Sequence, residues 1–298
     1  MLPSGACGGG DDNGGGQAGS GPAGAPGRGG TNGAAGSGGQ APLVPGCTPE
    51  AFTSSGTLTG PYGTTHLSAG GRDYFLQVNQ WNTAATGSGN QTMPYGGSTV
   101  FKMSAQPKTA PTNGAPTGYP SIFIGGNNNH STSGSNLPKA VSSISSVLTT
   151  WNWADAGTST DYTNNSYNAA YDVWFSPNAG GEPSASGPAG GFLMVWLYDP
   201  RDAQPIGSVM YTGVTIPGVP GIWDVWVGKN GSKPCISYLP RTPLMSLSFD
   251  LNLFIKDAVN NRPNTILNSW YLTNVFAGFE IWRGGLNIET TAFCAVVN

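Results

Sequence analysis

Charge is scarce in this sequence: 12 Lys and Arg stand against 15 Asp and Glu, 9% of 298 residues, for a net charge of −3. So weak a negative balance gives no electrostatic footprint for nucleic acid or for an anionic membrane. Histidine is almost absent, His66 and His130 being the only two. No pair of cysteines has metal-ligand spacing, so neither a structural zinc nor a histidine-based catalytic site is expected, and no cofactor is implied. No apolar run reaches the length of a membrane-spanning helix. Gly, Ser, Thr, Asn and aromatic residues are plentiful instead, the composition of a secreted or surface protein.

The first forty or so residues differ from the rest. Residues 8 to 45 are almost entirely Gly, Ala, Ser, Pro, Gln and Asn and cannot bury enough apolar surface to offset ordering, so they are expected to form a disordered linker. Ahead of them, residues 1 to 7 end in Ser4-Gly5-Ala6-Cys7, which resembles the cleavage site of bacterial lipoproteins. That resemblance implies a lipid anchor at Cys7 and a secreted, cell-surface or outer-membrane location in a bacterium. Cys47, Cys235 and Cys294 remain, with three possible pairings and one thiol left over. Cys47 opens the globular part and Cys294 lies four residues from its end, so a bridge pinning the two termini is the first choice.

Residues 46 to 298 read as one domain, expected to be monomeric. Its organising stretch is Phe192-Leu193-Met194-Val195-Trp196-Leu197. At a period of two this run is apolar on both faces, Phe192, Met194 and Trp196 on one and Leu193, Val195 and Leu197 on the other. Such a strand belongs in the middle of a layered β protein, and Gly190-Gly191 and Asp199-Pro200 bound it. Further short β-type runs recur between Gly, Pro, Asn and Ser clusters, among them Tyr74 to Trp81, Ala170 to Phe175 and Trp270 to Ile281. The pattern predicts an all-β fold, a concanavalin-like β-jelly-roll sandwich of two antiparallel sheets. Leu251, Phe254, Ile255 and Ala258 add one short helix over 251–259, capped by Asp250 or Ser248 and packed on the outside of a sheet.

In the run Tyr74 to Trp81, alternation puts Phe75, Gln77, Asn79 and Trp81 on one face. Two amides between two aromatic rings suit a sugar-binding surface. Core packing of Trp81 with edge-strand amides fits the same spacing equally well.

Motifs in chain order tip that balance. Asn79-Gln80-Trp81-Asn82, Tyr119-Pro120-Ser121-Ile122-Phe123-Ile124-Gly125, Leu137-Pro138 with Val141-Ser142-Ser143-Ile144, Tyr171-Asp172, Phe192 to Leu197 with Gln204-Pro205-Ile206-Gly207-Ser208, and Gly278-Phe279-Glu280 with Gly284-Gly285 together resemble the family 12 glycoside hydrolases, endo-β-1,4-glucanases and xyloglucanases. The resemblance implies a β-glucan polysaccharide or oligosaccharide as partner, a retaining mechanism, and a substrate cleft lined by Asn79, Trp81, Phe192, Met194 and Trp196. It gives Glu280 the acid/base role and Asp172 the support of the nucleophile through a hydrogen bond. The nucleophile itself, a Glu in the family, falls on Phe192.

Glu280 stands out without any family, since a carboxylate inside Val275 to Trp282 must be paired or have a raised pKa, and a raised pKa is what a general acid needs. A wet-face glutamate paired with Arg283 is the other reading of that position. Retaining glycosidases need a second carboxylate about 5 to 5.5 Å from the first. Asp172 is the first candidate to substitute for it and Asp199 the second. Two functional classes follow, an endo-glucanase-type enzyme impaired at its nucleophile and a non-catalytic, surface-tethered β-glucan-binding protein.

Overall fold

A computed structural model describes residues 43–155, 161 and 163–298. The lipoprotein-type motif at Cys7 and nearly all of the linker expected over 8–45 lie outside the described residues. Two sheets face each other. The smaller has six strands, in the spatial order Gly56–Thr59, Thr92–Gly96, Thr99–Lys102, Glu289–Val297, Val147–Ala154, Ser246–Asp250. The larger has eleven, nine of them in the path Ser208–Val214, Trp223–Asn230, Lys233–Pro240, Phe192–Tyr198, Ala169–Ser176, Tyr271–Gly278, Ser121–Asn127, Arg72–Gln77, Thr64–Ala69.

The expected jelly-roll sandwich is what forms, with one difference in pairing. Phe192–Tyr198 runs parallel to Lys233–Pro240, Phe192 opposite Cys235 and Val195 opposite Tyr238, so the larger sheet is mixed. The strand takes a central place because both of its faces are apolar. Leu193, Val195 and Leu197 join the core between the sheets, while Phe192, Met194 and Trp196 form a second cluster on the outer face with Phe123, Trp174 and Phe276. Gly190 admits the chain into that position: a Cβ there would lie 2.4 Å from the carbonyl oxygen of Phe175.

The helix spans Asn252–Asn261. No side chain caps it at Leu251, although Asp250 accepts the Asn252 N–H at 3.0 Å. It does not lie on the outside of a sheet. The Phe254 ring meets Trp223 and Tyr238 of the larger sheet at 5.0 and 4.8 Å and Phe249 of the smaller at 5.7 Å. The helix therefore fills the gap where the smaller sheet ends beneath the larger.

Cys47 and Cys294 are bonded, as expected. The left-over thiol is not: Cys235 is disulfide-bonded as well, and no described cysteine is free. The Cys47–Cys294 bridge spans 247 residues of sequence, and closing so long a loop restricts the unfolded chain strongly. Replacing both cysteines by serine is expected to lower the unfolding free energy by roughly 3 to 5 kcal/mol, read from urea unfolding. An unchanged midpoint would contradict it.

Candidate active site

The outer face of the larger sheet is organised as a row across the strands. Hydrogen-bond register places His66, Phe75, Phe123, Phe276, Asp172, Met194, Ser237, Trp226 and Val209 opposite one another in sequence. With neighbouring strands about 4.8 Å apart, that line is roughly 40 Å long. It is largely aromatic. Phe75 and Phe123 stack at 5.6 Å, Phe123 and Phe276 at 4.5 Å, and the His66 and His130 rings lie 5.1 and 5.0 Å from Phe75.

Asp172 sits in the middle of the row, between Phe276 and Met194. Its Oδ2 accepts from Trp174 Nε1 at 2.9 Å, and its buried Oδ1 has no partner. Trp174, on the same face two residues on, stacks on Phe192 with centroids 4.2 Å apart and planes 17° from parallel. Phe192 thus lies under a ring whose indole N–H holds Asp172.

Glu280 follows Tyr271–Gly278. Phe279 turns into the core against Phe101, Trp151 and Trp153, which leaves Glu280 on the outer face. Asn168 Nδ2 donates to its Oε2, and Oε1 is buried without a partner. Burial pushes the Glu280 carboxyl up to about 8, with the charge of Asp172 adding to the rise and the Asn168 bond opposing it. Burial likewise pushes Asp172 up to about 7, against the pull of Trp174 and the Val173 backbone. Tyr119, whose hydroxyl donates to the Ala170 carbonyl at 2.7 Å, is raised well above its ordinary value, by burial first and then by these two acids. Arg283 does not reach Glu280 and pairs instead with Asp202.

The family model described as Glycosyl hydrolase family 12 matches residues 72–298. The chain belongs to this family. The family 12 domain is 32% identical over 168 residues to the probable cellulase Cel12b of Mycobacterium tuberculosis, a match covering 55% of this chain and 99% of that protein. It is 34% identical over 146 residues to the xyloglucan-specific endo-beta-1,4-glucanase A of Emericella nidulans, covering 48% of this chain and 55% of that protein. This second match spans only about half of the fungal relative's length. Among solved structures, the endoglucanase Cel12A from Rhodothermus marinus superposes with a TM-score of 0.68 at 32% identity, over 82% of this chain and 99% of that one. A metagenome-derived family 12 endoglucanase gives 0.70 at 30% identity, over 82% and 98%.

Within the family 12 domain, Phe192, Met194, Trp196 and Trp81 pack into one cluster, and Asp172 and Glu280 share its face. Trp81 gets there by an unexpected route. The strand Arg72–Gln77 ends before Trp81 and Asn79 takes a left-handed φ of 49°, so the alternation read through to Trp81 stops short. Asn79 is buried and its carbonyl accepts the Tyr119 N–H at 2.9 Å. Gln77 is committed to the protein: it donates to Ser121 Oγ and accepts from Asn127, both at 3.1 Å. Asp199 accepts the Arg201 N–H in the loop beyond Tyr198 and stands apart from the acids. A cavity of about 320 Å³ opens beside Ile206, lined also by Thr112, Asn113, Asp202, Gln204 and Lys229; neither acid borders it.

Sequence reasoning missed Trp174, Asn168 and Trp282. Trp174 was within reach, since it shares the face of Asp172 by simple alternation. Asn168 and Trp282 had no local signal. Trp282 packs 6.4 Å from Trp196 and donates through Nε1 to Gly114 at 2.7 Å, anchoring the 104–118 segment beside the site.

Proposed function

We propose that this family 12 domain holds β-1,4-glucan chains along the aromatic row, with Glu280 as the proton donor, and that hydrolysis is impaired because Phe192 stands where the attacking carboxylate is needed. One observation carries the reading: the outer face presents Glu280 with a raised pKa, while the position assigned to its partner holds a benzyl ring stacked on Trp174. An uncharged acid near neutral pH can protonate a glycosidic oxygen. Double displacement also needs a nucleophile on the anomeric carbon.

The surface suits a linear glucan on other grounds. The half-buried rings of Phe75 and Trp226 lie along the row on either side of Asp172, where pyranose faces can stack on them. Trp81 Nε1, Trp196 Nε1, Asp172 Oδ1 and Glu280 Oε1 are buried polar atoms without a protein partner, and such atoms call for a ligand's hydroxyls. The non-catalytic alternative, a glucan-binding protein, gains support from the Phe192–Trp174 stack, which fills the space a relocated nucleophile or a rescuing water would use.

Reducing-end release from carboxymethyl-cellulose, barley β-glucan and xyloglucan, run with affinity electrophoresis beside Glu280→Gln, tests both parts. The expected result is retardation by glucan in both proteins, with little or no release by either. Strong release that vanishes in Glu280→Gln would overturn the impairment, and absence of retardation would overturn the substrate class.

A further inference from the structure

We propose that Asn168 is the positioning residue of Glu280, holding one carboxyl oxygen so that the other, Oε1, is the oxygen that carries the proton. The inference rests on Glu280 as proton donor, but its geometry stands by itself. Three hydrogen bonds join the two residues. The Asn168 N–H donates to the Glu280 carbonyl at 3.0 Å, the Glu280 N–H donates to Asn168 Oδ1 at 2.9 Å, and Asn168 Nδ2 donates to Glu280 Oε2. The amide of a buried asparagine thereby does the work of a ladder residue toward a chain that has just left its strand.

The orientation of this amide is fixed by the backbone. The Glu280 N–H requires an acceptor, so Oδ1 faces it and Nδ2 is left to face the carboxyl group. A proton on Oε2 would then oppose the Nδ2 hydrogens. The neutral acid is confined to the tautomer protonated at Oε1, the atom that is buried without a protein partner.

The pair is held from behind. Ser166–Tyr167 and Ile281–Arg283 form a short ladder, Ser166 opposite Arg283 and Tyr167 opposite Ile281. Asp202 ties its end, accepting from Ser166 Oγ at 2.7 Å and from Arg283. Besides Asn168, the groups facing Glu280 are Asp172 and the Tyr119 hydroxyl, neither of them cationic. Among the described residues the Asn168 amide is therefore the one contact on the carboxyl group that favours the ionised form, against burial and the Asp172 charge. A donor in that place keeps the acid able to lose its proton and regain it.

The test is a carboxyl titration of the full chain by ¹³C NMR with labelled glutamate, the Glu280 resonance assigned by its loss in Glu280→Gln. Asn168→Ser is too short to reach Oε2, and Asn168→Asp puts an acid there. Both are expected to move the Glu280 midpoint upward, by about one unit for Ser and more for Asp, with circular dichroism unchanged. If Asn168→Asp fails to fold, Asn168→Ser alone decides. A Glu280 midpoint that stays in place in a folded variant overturns the assignment. Glucan retardation measured on the same samples separates the two proposals: a moved midpoint without glucan binding supports Asn168 and sinks the glucan reading, and glucan binding with an unmoved midpoint does the reverse.

Discussion

If hydrolysis is impaired as proposed, Phe192→Glu is expected to give the protein the activity of a retaining endo-glucanase. The substitution places a carboxylate on the outer face, at the position that the family resemblance gives to the nucleophile and in the strand paired with that of Asp172; double displacement requires such a second carboxylate. The neighbourhood has adapted to a ring, because Trp174 stacks on Phe192 and its N–H is spent on Asp172. The new carboxylate will settle imperfectly, and a misplacement of about 1 Å can forfeit on the order of a hundredfold in rate. Loss of a nucleophile costs far more than that, so a gain on the order of a hundredfold or more over wild type should survive. Reducing-end release and the anomeric configuration of the first product, followed by NMR, measure it. Wild-type hydrolysis that disappears in Asp172→Asn would instead show the nucleophile to be Asp172.

Asp172→Asn and Glu280→Gln are expected to stabilise the protein at pH 9 and to change it little at pH 4. Both acids have folded pKa values raised above their ordinary 3.8 and 4.5, to about 7 and about 8, chiefly by burial. The folded state binds these protons more tightly than the unfolded chain. Stability from this source is complete below about pH 4 and is lost as pH rises through 7 and 8. A shift of about three units corresponds to on the order of 4 kcal/mol. Neutral isosteres remove that cost, so melting temperature plotted against pH should fall less steeply above pH 5 in each variant than in wild type. Parallel curves would show that burial does not penalise these acids. A gain of this kind is the usual signature of an acid held for function at the expense of the fold.

The parts legible in the sequence were those whose signal is local. The strand from Phe192 was bounded to within one residue because Gly190-Gly191 and Asp199-Pro200 punctuate a run with a clear period. Val147–Ala154 was missed although it lies inside the smaller sheet, since Thr149 and Thr150 look like surface residues and are buried. Trp270 to Ile281 read as one strand. The ladder breaks at Phe279 and Glu280, where Asn168, far away in the sequence, accepts the backbone N–H in place of a neighbouring strand. The site followed the same division. Phe192, Met194 and Trp196 were put on one face by alternation, Asp172 came from the family resemblance, and Glu280 stood out as a carboxylate among apolar residues. What holds Glu280 was invisible, because its partners converge only when separate segments meet.

The Cys47–Cys294 bridge has a mechanical consequence. Cys294 lies in Glu289–Val297, which is paired on one side with Thr99–Lys102 and on the other with Val147–Ala154 in the middle of the smaller sheet. Tension applied to the chain ahead of Cys47 is transmitted through the bridge into that sheet, along strands hydrogen-bonded on both sides.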